Sequence, residues 1–252
     1  MIFAAGLGTR LKPITDHMPK AMVSVGGEPL IKHVIEKLKS AGTERIVVNV
    51  HHFATQITDY LKENNNFNTD IRISDESDKL LDTGGGIKKA QDLFDKEYPI
   101  LIHNVDILSN VDLKRFYEAG ISNSNIDMES TTVDAVLLVS ERKTKRYLLF
   151  DNSMRLVGWT NIETGEVRSP YPNLNHKDCK MYAFAGIHTI SPRLFEMMDE
   201  DFPDKFGITD FYLKACKSHI IKGYVKEDLK LLDVGKLDTL KEAEDFVQTR
   251  ES

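Results

Sequence analysis

Three groups of residues in this chain could do chemistry together. The first is the run Ala4, Ala5, Gly6, Leu7, Gly8, Thr9 and Arg10, followed by Pro13, Pro19 and Lys20. A short apolar strand at 2–4 leads straight into it. Glycines carry no Cβ, so backbone N–H groups can crowd around a phosphate chain. Arg then forks onto two anionic oxygens, and Lys acts as a point charge. The second group is Asn104-Val105-Asp106, at the carboxyl end of an apolar strand at 100–102. The third is Asp233 in Leu231-Leu232-Asp233-Val234-Gly235, which also ends a strand and precedes a helix. In open parallel sheets ligands bind beyond the carboxyl ends of the strands. An Asp there can hold Mg2+ through one oxygen while waters and phosphates fill the other positions. The combination points to nucleoside triphosphate chemistry.

Each group has a plainer alternative. Gly6-x-Gly8 alone is a weak signal. No Gly-Lys-Ser/Thr follows it, as a Walker loop requires, and Leu11 stands where a dinucleotide fingerprint needs its next glycine. A structural turn accounts for two glycines as well as a phosphate site does. Asp106 and Asp233 could each cap the segment that follows, although Asp112 is the better cap candidate beside Asp106. Spacing alone does not bring the two aspartates to one metal. A second glycine cluster, Leu81-Asp82-Thr83-Gly84-Gly85-Gly86, offers either a flat surface for a base or ribose at a helix N-terminus, or simply a flexible helix start. His51-His52 reads as a polar loop pair. The cluster at 141–146 reads as a solvated turn, or as a source of arginine for a sugar phosphate. No Ser/His/Asp set and no Cys/His metal spacing occurs.

The elements that must position these groups alternate. Residues 29–41 form a helix with Leu30, Val34, Ile35 and Leu38 on one face, Pro29 in its first turn and Gly42 at its end. Strands at 46–50, 70–74, 100–102 and 135–139 alternate with helices at 53–62, 84–94 and 111–119, which implies a parallel sheet covered on both faces. The first strand is short for a central one. From about residue 146 the texture changes to strands at 147–150, 155–159 and 182–190, with an exposed hairpin or loop at 160–180. Helices near 192–198 and 209–218, strands at 220–225 and 230–232, and an amphipathic helix through Leu237, Leu240, Ala243 and Phe246 complete the chain. The expected class is α/β, a Rossmann-like three-layer αβα arrangement with a mostly parallel central sheet. Residues 1–252 form a single domain, with a nucleotide-binding half (about 1–140) and a smaller mixed half (about 141–252).

A net charge of −6 argues against a nucleic-acid partner, which needs a basic face to displace counterions. No run reaches the roughly 18 apolar residues of a membrane span, and the start lacks the basic and apolar regions of a signal peptide. Cys179 and Cys216 match no metal or redox spacing and read as reduced thiols of a cytoplasmic protein.

Taken whole, the run from Ala4 to Lys20 with Val25-Gly26-Gly27-Glu28-Pro29-Leu30 resembles the signature of the sugar-1-phosphate nucleotidyltransferases. Residues 81–86, Asn104-Val105-Asp106, the stretch 182–187 and Asp233-Val234-Gly235 follow in family order. The Leu-Asp-Thr-Gly-Gly-Gly version is most similar to the N-acetylmuramate-1-phosphate uridylyltransferases, with mannose-1-phosphate guanylyltransferase-like proteins close behind. The resemblance implies condensation of an NTP (UTP or GTP) with a sugar 1-phosphate, giving an NDP-sugar and pyrophosphate in a monomer or homodimer. It implies catalytic roles for Arg10, on the leaving phosphates, and for Lys20, near the reacting centre. Ala5, Gly6, Gly8, Thr9, Gly84 and Gly85 would bind the nucleotide, and Asp106 and Asp233 would hold Mg2+. Gly186 and Asp210 would lie along the sugar. The chain departs from the family twice: Val105 replaces the usual glycine before the metal-binding Asp, and Trp159-Thr160-Asn161 replaces the Glu-Lys pair that grips the sugar phosphate. Arg142 or Arg146 would then serve that phosphate. No hexapeptide-repeat tail follows. Other readings are a regulatory subunit that senses these ligands without catalysis, and a cytidylyltransferase acting on a phosphocholine-like substrate.

Overall fold

The computed structural model describes residues 1–125 and 132–251. In chain order the first half contains β1 (Ile2–Phe3), the ribbon β2 (Ser24–Val25) and β3 (Glu28–Pro29), α1 (Leu30–Ser40), β4 (Arg45–Val50), α2 (Ala54–Glu63), β5 (Asp70–Asp75), α3 (Asp82–Ala90), β6 (Ile100–Asn104), β7 (Ile107–Ser109) and α4 (Leu113–Asn125). The second half contains β8 (Val133–Ser140), β9 (Arg146–Phe150), β10 (Leu156–Asn161), β11 (Glu166–Arg168), β12 (Lys180–Ile190), α5 (Phe195–Asp201), α6 (Ile208–Ala215), β13 (Ile220–Val225), β14 (Leu231–Asp233) and α7 (Asp238–Glu251).

The large sheet runs β11-β10-β9-β12-β6-β1-β4-β5, with β8 pairing β12 and β13 pairing β8. Its β5-β4-β1-β6 stretch is parallel throughout. Every residue of β4 after Arg45 is buried, as a β-branched strand covered on both faces should be. Helix α1 supports it by burying Leu30, Ile31, Val34, Ile35 and Leu38 on one face. Strand β12 joins the halves: it runs antiparallel to β6 over Ile187–Ile190 and to β9 over Lys180–Tyr182. Between these stretches its register with β8 shifts, and Gly186 takes φ +73° there. That left-handed backbone favours glycine. Among the described residues no helix is long and apolar enough to cross a membrane.

Several boundaries differ from the sequence reading. The third helix begins at Asp82, two residues before the expected start, and gives way to a 3-10 turn at Gln91–Leu93. The fourth begins at Leu113, where Asp112 Oδ1 accepts the Arg115 N–H at 3.0 Å. Asp112 is therefore the cap, and Asp106 is followed by a strand. Residues 160–180 contain the β10–β11 hairpin and a 3-10 turn at His176–Asp178.

Two histidines lie in the middle of this sheet. His103 on β6 and His188 on β12 are 0% and 1% exposed. His103 Nδ1–H donates to Asn104 O at 2.7 Å, and His188 Nδ1 lies 2.6 Å from the Tyr212 hydroxyl. Burial pushes both imidazoles down to about 3, with the Lys37 charge adding to the effect at His103. In the unfolded chain they take up protons near the ordinary value of 6.5. Below that pH the unfolded state binds protons that the folded state refuses, so stability falls as pH drops from about 6.5 toward 3. Urea unfolding at several pH values should show this fall, and His188→Gln should make it shallower. An unchanged slope in the variant would contradict the assignment.

Candidate active site

A cavity of about 480 Å³ opens at the carboxyl ends of β1, β4, β5 and β6. Ala5, Gly6, Gly8, Thr9, Arg10, Lys20 and Asp106 all line it, which brings together the first two groups singled out in the sequence. The first loop is held from outside the cavity. Gly8 takes φ +62°, and a Cβ there would stand 2.8 Å from the Thr15 methyl. Thr15 Oγ1 and Leu11 N both donate to Gly8 O at 2.8 Å. At Gly6, by contrast, an added Cβ would meet no atom within 4 Å. That face of the loop is open to a ligand.

Lys20 is 7% exposed and its Nζ forms an ion pair with Asp106 Oδ2. The buried ammonium is thereby paired, as burial of a charge demands. The third group arrives through a small antiparallel ladder, β14 on β7, in which Asp233 faces Ile107. Val234 N–H then donates to Asp106 O at 2.8 Å. The two aspartates therefore sit on adjoining backbone segments, although 127 positions of sequence separate them (233 − 106). Gly235 lines the cavity, and a Cβ on it would lie 2.6 Å from Asp233 Oδ1 and 2.7 Å from the Arg10 guanidinium. Arg10, Asp106 and Gly235 line the cavity, and Asp233, beside Gly235, is not among the described residues that line it. Asp233 Oδ1 is buried with no hydrogen-bond partner. A buried carboxylate oxygen without a donor suits a hard divalent cation. Among the described residues no cluster of three or more His, Cys, Asp or Glu side chains could hold a metal. Further ligands would have to come from phosphate or water.

The second glycine cluster is placed differently from its ligand-facing reading. Asp82 and Thr83 line the cavity, but Gly84 and Gly85 turn away from it. Their N–H groups both donate to Phe206 O, at 2.9 and 3.2 Å. A Cβ on Gly84 would stand 2.2 Å from the Phe206 ring, and one on Gly85 would stand 2.0 Å from Asp204 O. These glycines admit another stretch of this chain, and the helix N–H groups expected to face a ribose are already occupied.

The expected sugar-side residues are scattered. Gly186 backs Asn104, whose side-chain nitrogen would lie 2.6 Å from its Cβ; Asn104 itself lines the cavity. Asp210 sits at the start of α6, with Oδ2 beside Gly207 on the cavity wall and Oδ1 paired to Arg168 at 2.7 Å. Arg146 is exposed opposite Asn161 on β10 and is not among the described residues that line the cavity. Arg142 donates to Phe184 O at 3.1 Å. Sequence reasoning missed Asn49, Glu76 and Gly207, all on the cavity wall. Asn49 and Glu76 stand at or just past strand carboxyl ends, a signal that was available.

A family model described as Nucleotidyl transferase matches residues 1–147. The chain is 45% identical over 108 residues to an N-acetylmuramate alpha-1-phosphate uridylyltransferase of Caulobacter vibrioides, covering 42% of this chain and 44% of the relative. It is 37% identical over 122 residues to the protein of the same name from Neisseria meningitidis, covering 48% and 52%. The chain thus spans about half the length of these curated relatives. Among solved structures, an apo UDP-glucose pyrophosphorylase superposes with TM-score 0.78 at 19% identity, covering 100% of this chain and 98% of that one. HddC from Yersinia pseudotuberculosis, complexed with GMP-PN, gives TM-score 0.72 at 24% identity, covering 98% and 97%. At these identities the likeness is one of fold.

The contrast between the two glycine segments is testable. Gly85→Ala drives a Cβ into the Asp204 carbonyl and should destabilise the protein by about 1–3 kcal/mol or more in urea unfolding. Gly6→Ala should leave the midpoint unchanged. Equal midpoints for both variants would contradict the packing role of Gly85.

Proposed function

The chain belongs to the nucleotidyl transferase family, and from that premise we propose that its cavity binds UTP or GTP and that the chain condenses it with a sugar 1-phosphate, releasing pyrophosphate. The observation that supports this reading is a cavity lined by Arg10, Lys20, Asp106 and a glycine loop with an open face, with the backbone segment of Asp233 paired alongside. The names of the relatives supply the sugar 1-phosphate as acceptor and uridylyl transfer as the precedent.

The chemistry asks little of a proton acceptor. A sugar phosphate is already an anion at neutral pH, so its oxygen needs no general base to attack the α-phosphorus in line while pyrophosphate leaves opposite. The difficulty is bringing two anions together. Arg10 forks onto the phosphates that depart, and Lys20 supplies positive charge near the phosphorus under attack. Gly6 and its neighbours present backbone N–H groups along the triphosphate. Asp106 and Asp233 would hold Mg2+, which when bound supplies charge neutralisation to the phosphates. On this reading Asn104 and Gly207, on the cavity wall, would face the sugar, with Asp210 beside Gly207.

The test is a pyrophosphate-release assay of four NTPs against muramic, mannose, glucose and glucosamine-type 1-phosphates, with phosphocholine alongside. Turnover is expected for UTP or GTP with a sugar 1-phosphate. Turnover with phosphocholine alone, or binding with no turnover, would overturn the reading. Asp106→Asn should lower the rate at least about 100-fold with an unchanged circular dichroism spectrum. A near-normal rate would remove Asp106 from the metal role.

A further inference from the structure

Two nearly inaccessible polar residues on the cavity wall have no part in the proposed chemistry: Asn49, 2% exposed, and Glu76, 0% exposed. Asn49 lies in β4, and Glu76 follows β5. The parallel pairing of Val50 with Asp75 brings these two strand ends level. Their side chains form a continuous chain of hydrogen bonds. Ala4 N–H, at the entry to the first glycine loop, donates to Asn49 Oδ1 at 2.7 Å. Asn49 Nδ2 donates to Glu76 Oε1 at 2.7 Å. Leu81 N–H, at the entry to the second glycine segment, donates to Glu76 Oε2 at 3.1 Å. The third glycine of that segment belongs to the same arrangement. A Cβ on Gly86 would stand 2.9 Å from Glu76 Oε1 and 3.1 Å from Asn49 Nδ2.

We infer that Asn49 and Glu76 are positioning residues, a buried brace that fixes the two glycine segments relative to each other and so sets the cavity for a nucleoside triphosphate. The inference rests on the nucleotide-binding reading above. The polarity of the brace is fully determined. Both N–H groups at its ends are donors, so each end must present an oxygen, and the middle must be one donor facing one acceptor. With every carboxyl group ionised, an amide paired with a carboxylate is the combination that meets that demand. Two amides leave one donor facing another donor, and two carboxylates face each other without a proton between them. The carboxylate can stand at either position.

This gives a test by exchange. Glu76→Gln points an amide donor at Asn49 Nδ2 or at the Leu81 N–H, and Asn49→Asp sets two carboxylates together. The double variant Asn49→Asp with Glu76→Gln restores all three hydrogen bonds with the charge moved to the other residue. Two readouts are taken on each protein: amide hydrogen exchange at Ala4 and Leu81, and dissociation constants for UTP and GTP. In wild type both amides are expected to be protected. Each single variant should lose protection and bind the nucleotide about tenfold or more weakly, raising KM for NTP and leaving KM for the sugar phosphate. The double variant should recover both readouts. If the double variant folds and is protected but does not regain affinity, or if the single variants bind as wild type does, the brace is not what sets the cavity. If wild type binds neither nucleotide, the functional reading itself fails, and this role with it.

Discussion

The site depends on a short ladder that joins the backbone segments carrying Asp106 and Asp233. There β14 pairs with β7 over only three residues, and Val234 N–H closes onto Asp106 O. Lys20 pairs with Asp106. Asp233 keeps a buried oxygen with no donor.

The rest of the architecture serves that junction. The parallel β5-β4-β1-β6 stretch aims its carboxyl ends at one cavity, where the glycine loop, Asn49, Glu76 and Asn104 all emerge. Strand β12 reaches past the end of β6, turns at Gly186 behind Asn104, and carries the second half of the chain to the same edge. Packing of Phe206 against Gly84 brings Gly207 onto the cavity wall. The site is therefore assembled from segments that the chain visits at widely separated points.

Local chemistry was legible in the sequence and long-range geometry was not. The alternation of strands and helices, the glycine loop with Arg10 and Lys20, and the strand-end position of Asp106 all follow from period, turn chemistry and spacing. The pairing of the Asp106 and Asp233 segments hangs on a three-residue ladder that no local pattern announces. Gly84 and Gly85 show a different limit. A glycine reports that something comes close, but the sequence does not say whether that partner is a ligand or, as here, Phe206 and Asp204. Arg142 was readable as a spare cation, whereas folding turns its guanidinium onto Phe184 O. Asn49 and Glu76 escaped notice because an isolated amide and an isolated carboxylate carry no motif. Their meaning exists only once Val50 and Asp75 are paired.

The most direct measurement is the dissociation constant of the Mn2+–nucleotide complex, with UTP and with GTP, from the wild-type chain and from Asp233→Asn. Removing the Asp233 carboxylate should weaken binding at least about tenfold while leaving the metal-free fold intact. Equal dissociation constants for the two proteins would mean that Asp233 does not face the cation, and the account of this site would be wrong.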